Sequence, residues 1–315
     1  MYHNKKVLLI AGGGTLGTYT AKELLRLGAS VEVICPEEKV SDHENLKFHQ
    51  SLATDEFLTE LFSKTRYDGI VNFIHYPDPE EYKQVYHFLI KNTDHLIFLS
   101  SYRVYADQQH PVTESAPRLH KAVNDPDLLK NDTYGVSKAI CEDFLFNECK
   151  GENWTVVRPV ISFSHRRFDI LMNTALDPIK CARDGKPLIL PLSCKDLHAG
   201  LDWAGNSGKL IANLLFKKDA IGEAFSIYSG HGMTWGDVTK AYEKAIGLKV
   251  LWVDDEQYID TIPTIRQNHE HAWMWNYDRK FDRDIDATKV LKVTGLSQED
   301  FTSVEEGIRI EVDLL

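Results

Sequence analysis

Short apolar runs alternate with amphipathic stretches through the first half of the chain. Residues 7–10 are continuously apolar, a Gly-rich turn follows, residues 19–27 repeat apolar positions at helical spacing, and residues 31–34 are apolar again. Such a succession predicts one β-α-β unit. The rhythm continues, with strands expected at 69–74, 96–100 and 155–157 and helices at 56–63, 79–91 and 134–149. Regular alternation of this kind predicts an α/β fold, a Rossmann-type doubly wound parallel sheet with helices on both faces.

Beyond Arg158 the alternation loosens, and Pro, Gly and His become more scattered. Residues 1–158 are therefore expected to form a dinucleotide-binding core and residues 159–315 mainly a smaller C-terminal substrate lobe. Stretches 199–215 and 224–228 are expected to return to the main sheet, and 187–191 to form a short strand. No internal repeat or low-complexity tract interrupts the chain.

Composition narrows the classes. With 315 residues, 43% of them hydrophobic, the chain is long enough to bury a substantial core. No apolar run approaches the roughly 20 residues that span a bilayer, and the opening residues pass straight into a strand-like run, so a cytoplasmic protein is expected. The formal net charge of -11 disfavours nucleic acid as a general partner. Five scattered cysteines, with no close pair of the zinc-chelating kind, read as free thiols. His269, Glu270 and His271 lack the spacing of a metal cluster and read as surface; no metal is expected. Trp273 and Trp275 read as packing residues.

After the first apolar run comes Ala11-Gly12-Gly13-Gly14-Thr15-Leu16-Gly17 and then a helical pattern. Glycines at 12, 14 and 17 meet the G-x-G-x-x-G spacing, in which a turn without side chains lets the backbone, and a helix N-terminus at Thr15 and Leu16, approach a pyrophosphate. At the end of the second strand the usual acidic residue is replaced by Cys35, followed by Pro36, Glu37, Glu38 and Lys39. Glu37 or Glu38 would favour the ribose hydroxyls of NAD, and Lys39 the 2′-phosphate of NADP. Either cofactor is compatible with the sequence.

Tyr134 and Lys138, four apart, fall on one helix face. A nearby ammonium lowers the pKa of a tyrosine hydroxyl from its ordinary value of about 10 and makes it a usable proton shuttle. Upstream, the expected strand at 96–100 runs into Ser100-Ser101, and strand C-terminal ends line the ligand crevice of such sheets. Ser101 can therefore hydrogen-bond a substrate oxygen.

Five motifs stand in order: the Gly-rich loop, Ser100-Ser101-Tyr102-Arg103-Val104-Tyr105, Thr113-Glu114-Ser115-Ala116-Pro117, Tyr134 to Lys138, and Arg158-Pro159. In this the chain resembles, over nearly its whole length, the NAD-dependent epimerase/dehydratase branch of the extended short-chain dehydrogenase/reductases, which includes UDP-galactose 4-epimerase. The resemblance implies Ser101 as catalytic hydroxyl, Tyr134 as acid/base, and Lys138 as the residue that binds the nicotinamide ribose and tunes Tyr134. It implies a homodimer, and a sugar or nucleotide sugar as substrate for an epimerase (an isomerase) or a ketoreductase (an oxidoreductase). Basic residues of the C-terminal lobe hold the substrate diphosphate in that family, and Arg279 and Arg283 are the candidates here. Ala11, Cys35 and Leu52 depart from the family, which has Gly, Asp and Asp there. Tyr102 and Arg103 occupy the places where sugar-nucleotide 4,6-dehydratases carry Asp-Glu, which argues against dehydration. A second reading, a non-catalytic dinucleotide-sensing or RNA-binding protein on the same fold, would suit the altered cofactor positions but not the intact Ser101, Tyr134 and Lys138.

Overall fold

A computed structural model describes residues 2–173 and 175–315. Its centre is a sheet of seven strands, all parallel: β1 (Lys6–Ile10), β2 (Ser30–Cys35), β3 (Leu46–Gln50), β4 (Tyr67–Asn72), β5 (Thr93–Leu99), β6 (Trp154–Pro159) and, much later in the chain, β10 (Glu223–Ile227). The order across the sheet is β10-β6-β5-β4-β1-β2-β3. The chain thus reverses its direction of winding between β1 and β4, and the crevice outside their C-terminal ends is where such sheets bind ligands.

Strand β1 shows why the sheet is covered on both faces. Val7 and Leu9 enter one apolar layer with Leu24 and Leu210, whereas Leu8 and Ile10 enter the opposite layer with Leu58, Tyr82 and Phe144. Period-2 alternation with apolar residues at every position has no other way to be buried. One layer includes helix Ala204–Leu214, which lies against helix Thr15–Arg26 so closely that a Cβ at Gly208 would sit 2.5 Å from the Tyr19 carbonyl carbon.

The doubly wound α/β fold expected from the pattern is the fold observed. The strand at 46–50 was not anticipated: Leu46-Lys47-Phe48-His49-Gln50 lies at the sheet edge, none of it fully buried, and so lacks an apolar run. The helix expected at 134–149 runs Gly135–Glu148, with Tyr134 as its N-cap residue.

Of the later segments, 224–228 supplies most of β10, while 199–215 splits. Its first part forms β9 (Leu201–Trp203), which pairs with β7 (Ile161–Phe163) in a separate two-stranded sheet, and the rest is the covering helix. Strand β8 (Leu188–Pro191) pairs with β11 (Val250–Val253). Thr234 caps helix Trp235–Ile246 in a capping box with Asp237, which satisfies two otherwise open N–H groups. Among the described residues no helix is long and apolar enough to cross a membrane.

Candidate active site

Ala11 takes φ +54°, the left-handed turn that swings the chain from β1 into the glycine loop. Two of the glycines that follow have different duties. A Cβ on Gly17 would lie 2.3 Å from the Gly12 carbonyl oxygen, so helix and loop touch backbone to backbone. A Cβ on Gly14 would meet nothing within 4 Å. Gly14 is also the N-cap of helix Thr15–Arg26 and offers no side chain to cap it, so its first-turn N–H groups and positive dipole end have no side-chain cap. A loop with open space over Gly14 and uncapped donors beneath it fits a dinucleotide pyrophosphate.

Cys35 is buried beside this loop, and burial raises its thiol pKa. Glu37 brings a carboxylate oxygen to 3.0 Å from where a Gly13 Cβ would stand. Lys39 Nζ donates to the Gly13 carbonyl at 2.6 Å, and Arg166 Nη1 donates to the same oxygen at 3.2 Å. Of the three residues weighed for cofactor preference, Glu37 and Lys39 thus lie at the loop. Leu52 is 66% exposed.

At the far side of β1, strand β5 ends at Leu99 and is followed by Ser100 and Ser101, both buried. Ser101 Oγ accepts from the Arg103 N–H at 3.2 Å and caps a single turn of 3-10 helix. The helix carrying Lys138 starts immediately after Tyr134, and the Lys138 N–H donates to the Tyr134 carbonyl at 3.0 Å, fixing the two side chains together. Lys138 Nζ donates to the Leu99 carbonyl at 2.6 Å and sits 5.4 Å from the Tyr134 ring centroid. The ring of His75, just past β4, packs 5.1 Å from the same ring.

Burial pushes the Tyr134 hydroxyl pKa up, but the positive charges of Lys138 and Arg103, with the Ser101 hydroxyl beside it, outweigh burial and hold it below the usual tyrosine value. Burial lowers the Lys138 ammonium pKa. Tyr134 nevertheless keeps 37% of its surface exposed, facing the cleft.

That cleft has a volume of about 510 Å³, and it joins the glycine loop (Ala11, Gly14 to Gly17) to Ser100, Ser101 and Tyr134. The structure therefore brings together the loop and catalytic candidates that were separate motifs in the sequence. Arg279 also lines the cleft, with Nη1 donating to the Tyr102 hydroxyl at 2.8 Å and to buried Asp278 at 2.6 Å. Arg283 stands behind the wall, buried, paired with Asp278 at 3.3 Å and donating to the Tyr105 carbonyl at 3.1 Å.

Sequence reasoning passed over Arg103, Arg167, Phe73 and Met274 as site residues, yet all four line the cleft. Arg103 had a signal, its place two residues after Ser101. The others come from different segments and meet only in three dimensions. His269 is exposed, whereas Trp273 and Trp275 are buried. Among the described residues no cluster of three or more His, Cys, Asp or Glu could hold a metal ion.

A family model described as NAD(P)-binding matches residues 2–97, the part of the chain that contains the glycine loop. Nearly the whole chain superposes on solved enzyme structures, epimerases among them. A UDP-N-acetylglucosamine 4-epimerase from Bacillus cereus is similar at 16% identity and TM-score 0.70, over 99% of this chain and 96% of that one. The Bordetella bronchiseptica enzyme WbmG, solved in complex with NAD, is similar at 16% identity and TM-score 0.67, over 99% and 93%. An epimerase from Methanothermobacter thermautotrophicus is similar at 16% identity and TM-score 0.68, over 99% and 94%. No curated protein sequence matches the chain. The fold these structures share with the chain is the α/β Rossmann-type fold expected from the sequence.

Proposed function

We propose that this chain is an NAD(P)-dependent enzyme of the extended short-chain dehydrogenase/reductase type, an epimerase or ketoreductase acting on a sugar or nucleotide sugar. The observation that carries the reading is Tyr134, in one cleft with Ser101 and the glycine loop, its hydroxyl held below the ordinary pKa by the charges of Lys138 and Arg103 against burial. The loop at Gly12, Gly14, Thr15, Leu16 and Gly17 would hold the pyrophosphate, and Lys138 the nicotinamide ribose. When bound, the dinucleotide supplies the hydride acceptor.

Tyr134 removes the proton of the substrate hydroxyl, and the cations beside it stabilise the tyrosinate that makes removal feasible near neutral pH. Ser101 donates to the substrate oxygen as it becomes a carbonyl. Proton and hydride leave the same H–C–O–H unit, so the site must hold that carbon between Tyr134 and the loop. Return of the hydride to the other face would make an epimerase; the reverse reaction on a ketone supplied from outside, with its proton from Tyr134, would make a ketoreductase. Arg279, on the cleft wall, is the better placed of the two arginines for substrate.

A thermal-shift screen with NAD, NADP and UDP-sugars, followed by turnover of those that bind, tests the reading. Stabilisation by a dinucleotide and by a nucleotide sugar is expected, since ligands of the native state raise the melting temperature. Absence of both shifts sinks it.

A further inference from the structure

Charge is distributed against the grain in this molecule. The chain carries a net -11, yet the cleft beside Tyr134 is lined by Arg103, Arg167 and Arg279 and, among the described residues, by no Asp or Glu. Two of the three guanidinium groups are occupied. Arg279 spends Nε on the Leu171 carbonyl and Nη1 on Tyr102 and Asp278, and Arg167 forks onto Asp169.

Arg103 is different. Its guanidinium donates no hydrogen bond to any described residue; its nearest carboxylate oxygen, Oδ2 of Asp278, is 3.7 Å from Nε and already takes Arg279 at 2.6 Å. The other oxygen of Asp278 faces Arg283 at 3.3 Å. Arg103 is thus steered by a shared counter-charge and by stacking 4.9 Å over the Tyr134 ring, while its own donors stay unfilled. Its side chain is only 18% exposed. Its guanidinium faces the cleft with the fork open to water or to a ligand.

We propose that Arg103 is the anchor of an anion subsite beside the Tyr134 hydroxyl, and that it receives a carboxylate carried on the same sugar ring that is oxidised, so that the preferred substrate is a uronate-type nucleotide sugar. The inference rests on the reading of the cleft as a sugar-handling active site. A carboxylate is flat and two-toothed and matches the guanidinium fork, which a neutral hydroxymethyl group does not. Because the fork lies over the very ring that handles the proton, whatever it binds must be joined to the reacting carbon through few bonds. A diphosphate, separated from that carbon by the ring, could reach the fork only by displacing the ring from Tyr134.

The test is binding of UDP-glucuronate, UDP-glucose and UDP to the NAD-loaded protein by titration calorimetry, in wild type, Arg103→Gln and Arg103→Lys, with the melting temperature of each variant as the check on folding. Wild type is expected to prefer the glucuronate by about 10- to 100-fold, the worth of a charge-assisted bidentate pair. Arg103→Gln should collapse that ratio to near one, and Arg103→Lys should keep part of it, which preserves the test if the glutamine variant does not fold. Equal affinity for the two sugars in wild type overturns the subsite while leaving the sugar reading standing. Equal weakening of both sugars and of UDP by Arg103→Gln assigns Arg103 to the diphosphate and overturns it as well. Failure of every UDP compound to bind overturns both.

Discussion

Gly17 and Gly12 approach so closely that a single added carbon on Gly17 would fall 2.3 Å from the Gly12 carbonyl oxygen, whereas the same carbon on Gly14 would stand in open space. The two positions should therefore fail differently. Gly14→Val is expected to fold with near-wild-type stability and to lose dinucleotide binding, because its branches fill the space over the uncapped helix end. Gly17→Ala is expected to lose about 1–3 kcal/mol of stability, the usual range for overpacking. Urea denaturation and NAD titration on both variants separate the effects, and wild-type affinity in folded Gly14→Val would remove the cofactor assignment.

Tyr134→Phe deletes one oxygen and should lower turnover by about 10²- to 10⁴-fold with dinucleotide affinity retained. The deprotonated hydroxyl is the active form for oxidation, so activity should rise with pH through an apparent pKa below the ordinary tyrosine value, in keeping with the downward pull of Lys138 and Arg103 against burial. Lys138→Ala removes one of those charges and should move that limb to higher pH while weakening dinucleotide binding. Wild-type turnover in the Phe variant would leave Tyr134 as a packing residue only.

Ala11 holds a left-handed conformation that costs an L-residue about 1–2 kcal/mol, of which the greater chain entropy of glycine returns about 0.5–1 kcal/mol. Ala11→Gly should accordingly raise stability by about 0.5–1 kcal/mol. A lower urea midpoint at unchanged slope would contradict this.

Glu32 is a residue of β2, where burial raises its carboxyl pKa but hydrogen bonds from His49, Lys6 and Tyr67 outweigh it and hold the value down to about 2. A carboxyl whose folded pKa is depressed contributes stability that is present above its unfolded value and lost as pH falls towards the folded one. Stability should thus decline between about pH 5 and pH 2, and Glu32→Gln should cost about 3 kcal/mol at neutral pH and flatten that decline. Chemical denaturation at several pH values measures both.

A homodimer is expected through helices Pro79–Ile90 and Gly135–Glu148, which pack against one another on one face of the sheet; Ile140 on the second is 39% exposed. Light scattering at micromolar concentration should return twice 36.0 kDa. A mass of one chain would refute it.

Much of this was legible in the sequence because burial on both faces forces an apolar run at each central strand, and because the glycine loop, the serines after β5 and the Tyr134–Lys138 pair are each contiguous. What stayed hidden was long-range. β3 reads as polar because an edge strand needs only half its side chains covered. Phe73, Arg167 and Met274 meet in the cleft from three segments without any shared motif. Arg279 and Arg283 look interchangeable in the sequence, and only packing puts one at the cleft and the other behind it. Arg103 could be read as an absent acid, but its open fork could not.

Glu311, in the last helix, gathers donors from Tyr19 on the helix behind the glycine loop, from Trp203, and from the backbone and ring of His165. The neighbouring Arg166 in turn holds the Gly13 carbonyl, and Ser164 the Thr15 hydroxyl. The nucleotide loop, spelled out within the first twenty residues, is therefore completed only when residue 311 has arrived. A fragment that stops before residue 311 would lack the carboxylate that ties Tyr19, Trp203 and His165 together around the loop.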